Sequence, residues 1–143
     1  MEQYIDRYVE YLRNVKKSSE NTIASYKRDL LKFVGYFRNK DLNSLEDITE
    51  TYITSYVLDM EKNGMSMATV SRNIASIKSF YAFLFRERVV DNDPAENIKP
   101  PKIVKKVPEI LTINEVNKLL SQPTSKTPKE IRDKAMLELL YAT

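Results

Sequence analysis

The chain has 143 residues, no cysteine and no histidine, 42% hydrophobic and 30% charged residues, and a net charge of +3. That length can bury roughly 68–70% of the unfolded surface in a core of its own, while the missing side chains exclude disulfides, thiolate metal sites and imidazole catalysis or ligation. No run approaches the ~20 apolar residues of a membrane-spanning helix, and Met1 leads into charged sequence rather than a signal peptide, so a cytoplasmic protein is expected.

Helical periodicity dominates, and nothing alternates convincingly as a strand. Residues 2–16 place Tyr4, Tyr8, Tyr11, Leu12 and Val15 on one face. Ser18 or Ser19 offers an N-cap for a helix over 19–39, whose apolar stripe is Ile23, Tyr26, Leu30, Phe33, Val34 and Phe37. Thr49 caps a third helix, with Ile53, Tyr56, Val57 and Met60 inward and Asn63-Gly64 as its stop. Ser66 opens a fourth over 67–88, with Val70, Ile74, Ile77, Tyr81 and Leu84 as its stripe. Four such helices joined by short turns predict an all-α bundle.

Asp93-Pro94 interrupts this pattern and allows a short turn over Pro94–Ile98. The stretch KPPKIVKKVPEI follows, in which Pro100, Pro101 and Pro108 forbid helix and favour an extended path. Two capping-box signatures come next, T-I-N-E at Thr112–Glu115 and T-P-K-E at Thr127–Glu130. The second has Pro at the first helical position. The closing segment IRDKAMLELLYAT is apolar around most of its circumference, which is typical of a helix buried on all sides. Two short helices after a linker cannot supply that burial, so this third reads as the start of a further domain.

Charge is unevenly placed. Residues 1–98 sum to −1 and residues 99–143 to +4, with Lys99, Lys102, Lys105 and Lys106 grouped in the connector. Such a run is either a solvated linker or a phosphate-contacting strap. On the second helix, Asn21, Ser25, Arg28 and Lys32 lie opposite the apolar stripe and include no carboxylate. On the fourth, Thr69, Arg72, Ser76 and Ser79 lie opposite theirs, among Ala68 and Ala75. Both faces read either as ordinary solvated or packing surfaces, or as helices laid against nucleic acid, with cations on phosphates and Asn or Ser near base edges. Phe80, Tyr81, Phe83 and Phe85 read as packing rather than as a base-stacking platform. Gly-rich phosphate loops, nucleophile–base pairs and spaced carboxylates are absent, so no cofactor, metal or catalytic residue is expected.

The stretches SENTIASYKRDLLKF, SMATVSRNIASIKSFYAFLFRERVVDNDPAENIKPPK, LTINEVNKLL and IRDKAMLELLYAT, in this order, resemble the tyrosine recombinase or phage integrase family, close to its Xer type. The resemblance implies an N-terminal SAM-like core-binding domain over 1–87, a linker over 88–107 and the opening of a catalytic domain over 108–143. It implies double-stranded DNA as partner, gripped by the second and fourth helices, and other protomers in a tetramer. An extended chain from Ile98 to Val107 would reach roughly 30 Å, enough to pass beside a duplex. The candidate DNA-contacting residues are therefore Asn21, Thr22, Ser25, Arg28 and Lys32, then Ser66, Thr69, Arg72, Asn73 and Ser76, and the linker residues Lys99, Lys102, Lys105 and Lys106.

Family members continue beyond Tyr-Ala-Thr into a Gly-x-Arg segment, with the remaining catalytic residues later still. No tyrosine of this chain falls at the nucleophile's motif position, so this piece is expected to bind DNA without cutting it. Two alternatives stand beside that expectation. One is a helical protein-interaction module held by the tyrosine face of the first helix. The other is a naturally short, non-catalytic relative of the recombinases.

Overall fold

The computed structural model describes residues 1–101, 110–124 and 126–143. These form six helices and no strand: α1 Glu2–Asn14, α2 Glu20–Arg38, α3 Glu50–Lys62, α4 Met67–Arg86, α5 Ile113–Leu120 and α6 Pro128–Ala142. The chain divides into two compact units, Met1–Val104 and Lys105–Thr143.

In the first unit α4 packs against α1, α2 and α3, and α1 packs against α2. The starts of α2 and α4 are built alike. Ser19 and Ser66 both take extended backbone, with ψ of 149° and 146°, before their helices. Each serine Oγ accepts the N–H three residues on, from Thr22 and Thr69, at 3.3 Å. Each also sits 2.9 Å from that threonine's hydroxyl. The helix ends repeat as well. Asp41, Gly64 and Arg88 occupy the left-handed region at φ 61°, 73° and 55°. The residue after each returns its N–H to a carbonyl inside the helix: Leu42 to Phe37, Met65 to Met60 and Val89 to Leu84, at 2.9–3.1 Å. Only one of these three stops uses glycine, the residue that adopts this backbone without steric cost.

The core is aromatic at its centre. Phe33 meets Phe37, Tyr56 and Tyr81 edge-on, with ring centroids 5.0, 5.3 and 6.3 Å apart. The expected stripes of α2 and α4 are buried except Tyr26, which is half-buried, and α4 adds Phe80 and Phe83. On α1 the buried set is Ile5, Tyr8, Val9 and Leu12, rotated from the expected face. Val15 lies beyond the helix end and is exposed. Tyr4 and Tyr11 flank the core, and Arg86 covers Tyr11 with its guanidinium 4.2 Å from the ring centre and Nη1 donating to the hydroxyl at 2.8 Å. The tyrosine face that an interaction module would present is therefore largely used inside the bundle.

Two further segments complete this core. Leu45 and Ile48, in the α2–α3 connection, are buried, and the Tyr81 hydroxyl donates to the Leu45 carbonyl at 3.2 Å. Val90, Ala95 and Ile98 are also buried. Lys78 Nζ of α4 donates to the carbonyls of Glu96 and Ile98 at 2.7 and 3.1 Å. Residues 90–98, expected to belong to the linker, are thus part of the bundle's surface layer, because their three apolar side chains find a site on it.

In the second unit both capping boxes are formed. Thr112 N–H donates to Glu115 at 2.8 Å and Thr127 N–H to Glu130 at 3.2 Å, with the reciprocal bonds present. The Thr112 bonds hold the Glu115 carboxyl below the usual range, and Glu130 is held below it mainly by the Thr124 hydroxyl and the Lys126 N–H, with Thr127 adding less. No residue of α5 or α6 is buried. Leu139, Leu140 and Tyr141 are each 60% or more exposed, so this unit does not itself supply the burial that its last helix calls for. Among the described residues no helix is long and apolar enough to cross a membrane.

Candidate nucleic-acid interface

The candidate residues of α2 fall into two groups. Asn21, Arg28 and Lys32 are exposed, whereas Thr22 and Ser25 are half-buried. Thr22 spends its N–H and hydroxyl on the Ser19 cap. Among the described residues, neither Arg28 nor Lys32 has a carboxylate at ion-pair distance. Their neighbour Lys27 does, pairing with Asp6 at 2.8 Å. The uncompensated positive charge of this helix is therefore concentrated on two residues one turn apart.

On α4 the outcome is mixed. Ser66 is exposed and Thr69 half-buried, both engaged in the cap. The candidates Asn73 and Ser76 are both buried, Ser76 contrary to the outward face that spacing gave it. Asn73 is 2% exposed and its Nδ2 donates to the Thr69 carbonyl at 3.3 Å. Ser76 is fully buried and donates to the Asn73 carbonyl at 2.8 Å. The physical reason is that α4 packs on three helices at once, which widens its buried arc beyond the single stripe that a surface helix shows. Small polar side chains with a local backbone acceptor are what such a widened arc tolerates.

Arg72 is the α4 cation at this face, and it is not alone. Its Nε and Nη2 donate to the two carboxylate oxygens of Asp29 at 2.8 and 3.1 Å. These bonds push the guanidinium pKa up. Asp29 is 2% exposed, whereas the Arg72 side chain retains 40%. The sequence contained a sign of this pair that spacing alone passed over. Asp29 stands three residues after Tyr26 and four before Phe33, on the apolar stripe of α2, and a carboxylate in that place needs a partner.

Arg72 and Lys32 border one cleft of about 360 Å³, together with Thr69 at the head of α4, Gly35 on α2 and Asn63 and Met65 beyond α3. Tyr36 and Asp59 also line it, and the Tyr36 hydroxyl bonds to Asp59 and receives Lys40 Nζ at 2.6 Å. The two helix faces marked by spacing thus meet, through Lys32 and Arg72, at a single depression. Lys99 is exposed; Lys102, Lys105 and Lys106 lie outside the described residues. Among the described residues no group of three or more carboxylates could hold a metal. The cleft is thus lined by two cations, Lys32 and Arg72, and two carboxylates, Asp29 and Asp59.

Residues 5–88 match the family described as phage integrase, N-terminal SAM-like domain. The chain belongs to this family. Along its whole length it is 42% identical over 144 residues to the tyrosine recombinase XerD of Oceanobacillus iheyensis, covering 48% of that protein. It is 38% identical over 144 residues to the tyrosine recombinase XerC of Roseiflexus castenholzii, covering 46% of that one. The chain spans about half the length of the curated relatives it matches. The crystal structure of XerA recombinase shares the fold at a TM-score of 0.55 and 24% identity, over 96% of this chain and 44% of that one. The integrase match ends at residue 88, short of the buried Val90, Ala95 and Ile98.

Proposed function

We propose that this chain is the DNA-gripping N-terminal portion of a site-specific tyrosine recombinase. Arg28 and Lys32 of α2 contact phosphates, Asn21 and Ser25 stand beside them, and Ser66, Thr69 and Arg72 of α4 approach the same duplex. Lys99 extends the contact into the connector, and Lys102, Lys105 and Lys106 add phosphate contacts there. Breaking and rejoining of DNA, and assembly with other protomers, belong to the whole recombinase.

The observation that carries this reading is the meeting of Lys32 and Arg72 from two helices at one cleft, in a chain of the integrase family. Cations without carboxylate partners release bound counterions when they meet phosphates, so affinity should fall with log salt at about −0.9 per phosphate neutralised. Titration of the chain into fluorescently labelled duplex at several salt concentrations tests this. The expected result is salt-dependent binding that Arg28→Ala with Lys32→Ala weakens on every sequence. Absence of binding at low salt, or a flat response to salt, would overturn it.

A further inference from the structure

Arg28 and Lys32 are exposed cations without a carboxylate at ion-pair distance among the described residues, whereas Arg72 is bound in a fork by a buried carboxylate. We propose that Arg72 reads a base, a guanine edge in the major groove, and that Asp29 is the positioning residue that aims it. This rests on the DNA-binding reading above and assigns roles within that site.

A guanidinium carries five N–H donors in a plane. Asp29 takes the side-on fork, one N–H from Nε and one from Nη2. Three donors remain, two on Nη1 and one on Nη2, none with a hydrogen-bond partner among the described residues, and the end-on fork they form can meet two acceptors side by side. Guanine O6 and N7 present such a pair, and arginine is its commonest bidentate partner. Two physical consequences separate Arg72 from the other cations. Its charge is already balanced by Asp29, so it releases few counterions and adds little to phosphate affinity. Its direction is fixed before binding, because the buried carboxylate holds the plane of the group, and little ordering cost remains at contact. A mobile, unbalanced cation suits phosphates; an immobilised, balanced one suits the discrimination of bases.

The test uses the full chain and a pool of duplexes with a randomised core, selected by binding and sequenced, with the salt slope measured on the enriched duplex. Four variants are compared with the parent: Arg28→Ala with Lys32→Ala, Arg72→Lys, Asp29→Asn, and Asp29→Asn with Arg72→Gln. The last removes both charges and leaves no buried carboxylate unpaired, so a folded protein without the reader is available. The parent should enrich a sequence with a defined guanine. Arg28→Ala with Lys32→Ala should lower the salt slope by about 1.8 and keep that preference. Arg72→Lys and the double Asp29 and Arg72 variant should lose the preference at that one position, by about tenfold or more, with the slope nearly unchanged. Asp29→Asn should lose the preference while steepening the slope by up to about 0.9, since the unbalanced arginine turns to phosphates. A merely structural aspartate would not produce that gain of non-specific binding. If the parent binds but the Arg72 variants lower the slope by about 0.9 and leave every base preference intact, Arg72 is a phosphate contact and the proposal fails, with the DNA reading standing. If the parent shows no salt-dependent binding to the pool, both fall.

Discussion

Arg72 and Asp29 are joined by two hydrogen bonds, yet they stand in different media: the carboxylate is 2% exposed and the arginine side chain 40%. The asymmetry gives a stability prediction separate from any role in binding. Arg72→Ala leaves a charge in the interior with no partner, and loss of one member of a buried pair is costly. Because water already reaches Arg72, the cost should be smaller than for a fully enclosed pair, roughly 1–3 kcal/mol. Chemical denaturation should show Arg72→Ala less stable than the combined Asp29→Asn and Arg72→Gln variant. Equal stabilities would mean that the carboxylate is not held by its arginine.

The second prediction concerns where the first unit ends. Ile98 is 8% exposed, and its carbonyl receives Lys78 from α4 at 3.1 Å. A chain of residues 1–101 should therefore be more stable than one of residues 1–88, although the integrase match stops at 88. Ile98→Ala should cost about 2 kcal/mol, toward the low end for burial at the edge of a core. Thermal unfolding of the two lengths and of this variant would show it, and indistinguishable melting temperatures would place residues 90–98 outside the folded unit.

Most of the bundle was legible because it depends on local rules. Ser19, Thr49 and Ser66 announce helix starts, the Asn63-Gly64 pair announces a stop, and the α2 and α4 stripes follow a period of 3.6 residues. What escaped depends on contacts distant in sequence. Asn73 and Ser76 look like surface residues until α4 is known to touch three helices. Val90, Ala95 and Ile98 look like linker because three apolar residues spread over nine positions show no period. Asp29 is the instructive case. Its position on an apolar stripe was visible, but its partner lies 43 residues away on another helix, and spacing within one helix cannot name it.

Backbone conformation gives a third prediction, in which two substitutions act in opposite directions chemically but both stabilise. Arg88 holds a left-handed φ of 55° at the end of α4, is exposed and has no ion-pair partner among the described residues. Arg88→Gly removes the steric cost of a side chain there and should add roughly 0.5–1 kcal/mol. Gly35, by contrast, lies within α2, and a Cβ built there meets no atom within 4 Å. Gly35→Ala should add about 0.5–1 kcal/mol through helix propensity. Denaturant midpoints would report both. A loss of stability at Gly35→Ala would mean that the cleft it borders must close on that position.

The last prediction follows from buried phenols. Burial pushes the Tyr8 hydroxyl from 10.0 up to about 12, and the Tyr56 hydroxyl likewise, the latter also under the negative charge of Asp29. Burial raises Tyr81 further still. A raised phenol pKa means that the folded state favours the neutral form. The corresponding stability is fully present below the unfolded value near 10 and is lost as pH climbs from there through about 12. The bundle should therefore unfold in that alkaline window, with phenolate absorbance and loss of helical circular dichroism rising together for these residues. Tyr8 is the clearest case, because burial outweighs the Ser79 hydroxyl near its Oη, which makes no hydrogen bond of full geometry among the described residues. Tyr8→Phe keeps the ring against Phe80 and Phe83, whose centroids are each 5.4 Å away, and removes only the hydroxyl. At neutral pH it should be neutral or stabilising by up to about 1 kcal/mol, and its alkaline midpoint should move upward. A variant less stable at neutral pH, with an unchanged alkaline midpoint, would show that the hydroxyl has a partner in solution and that its titration does not govern the transition.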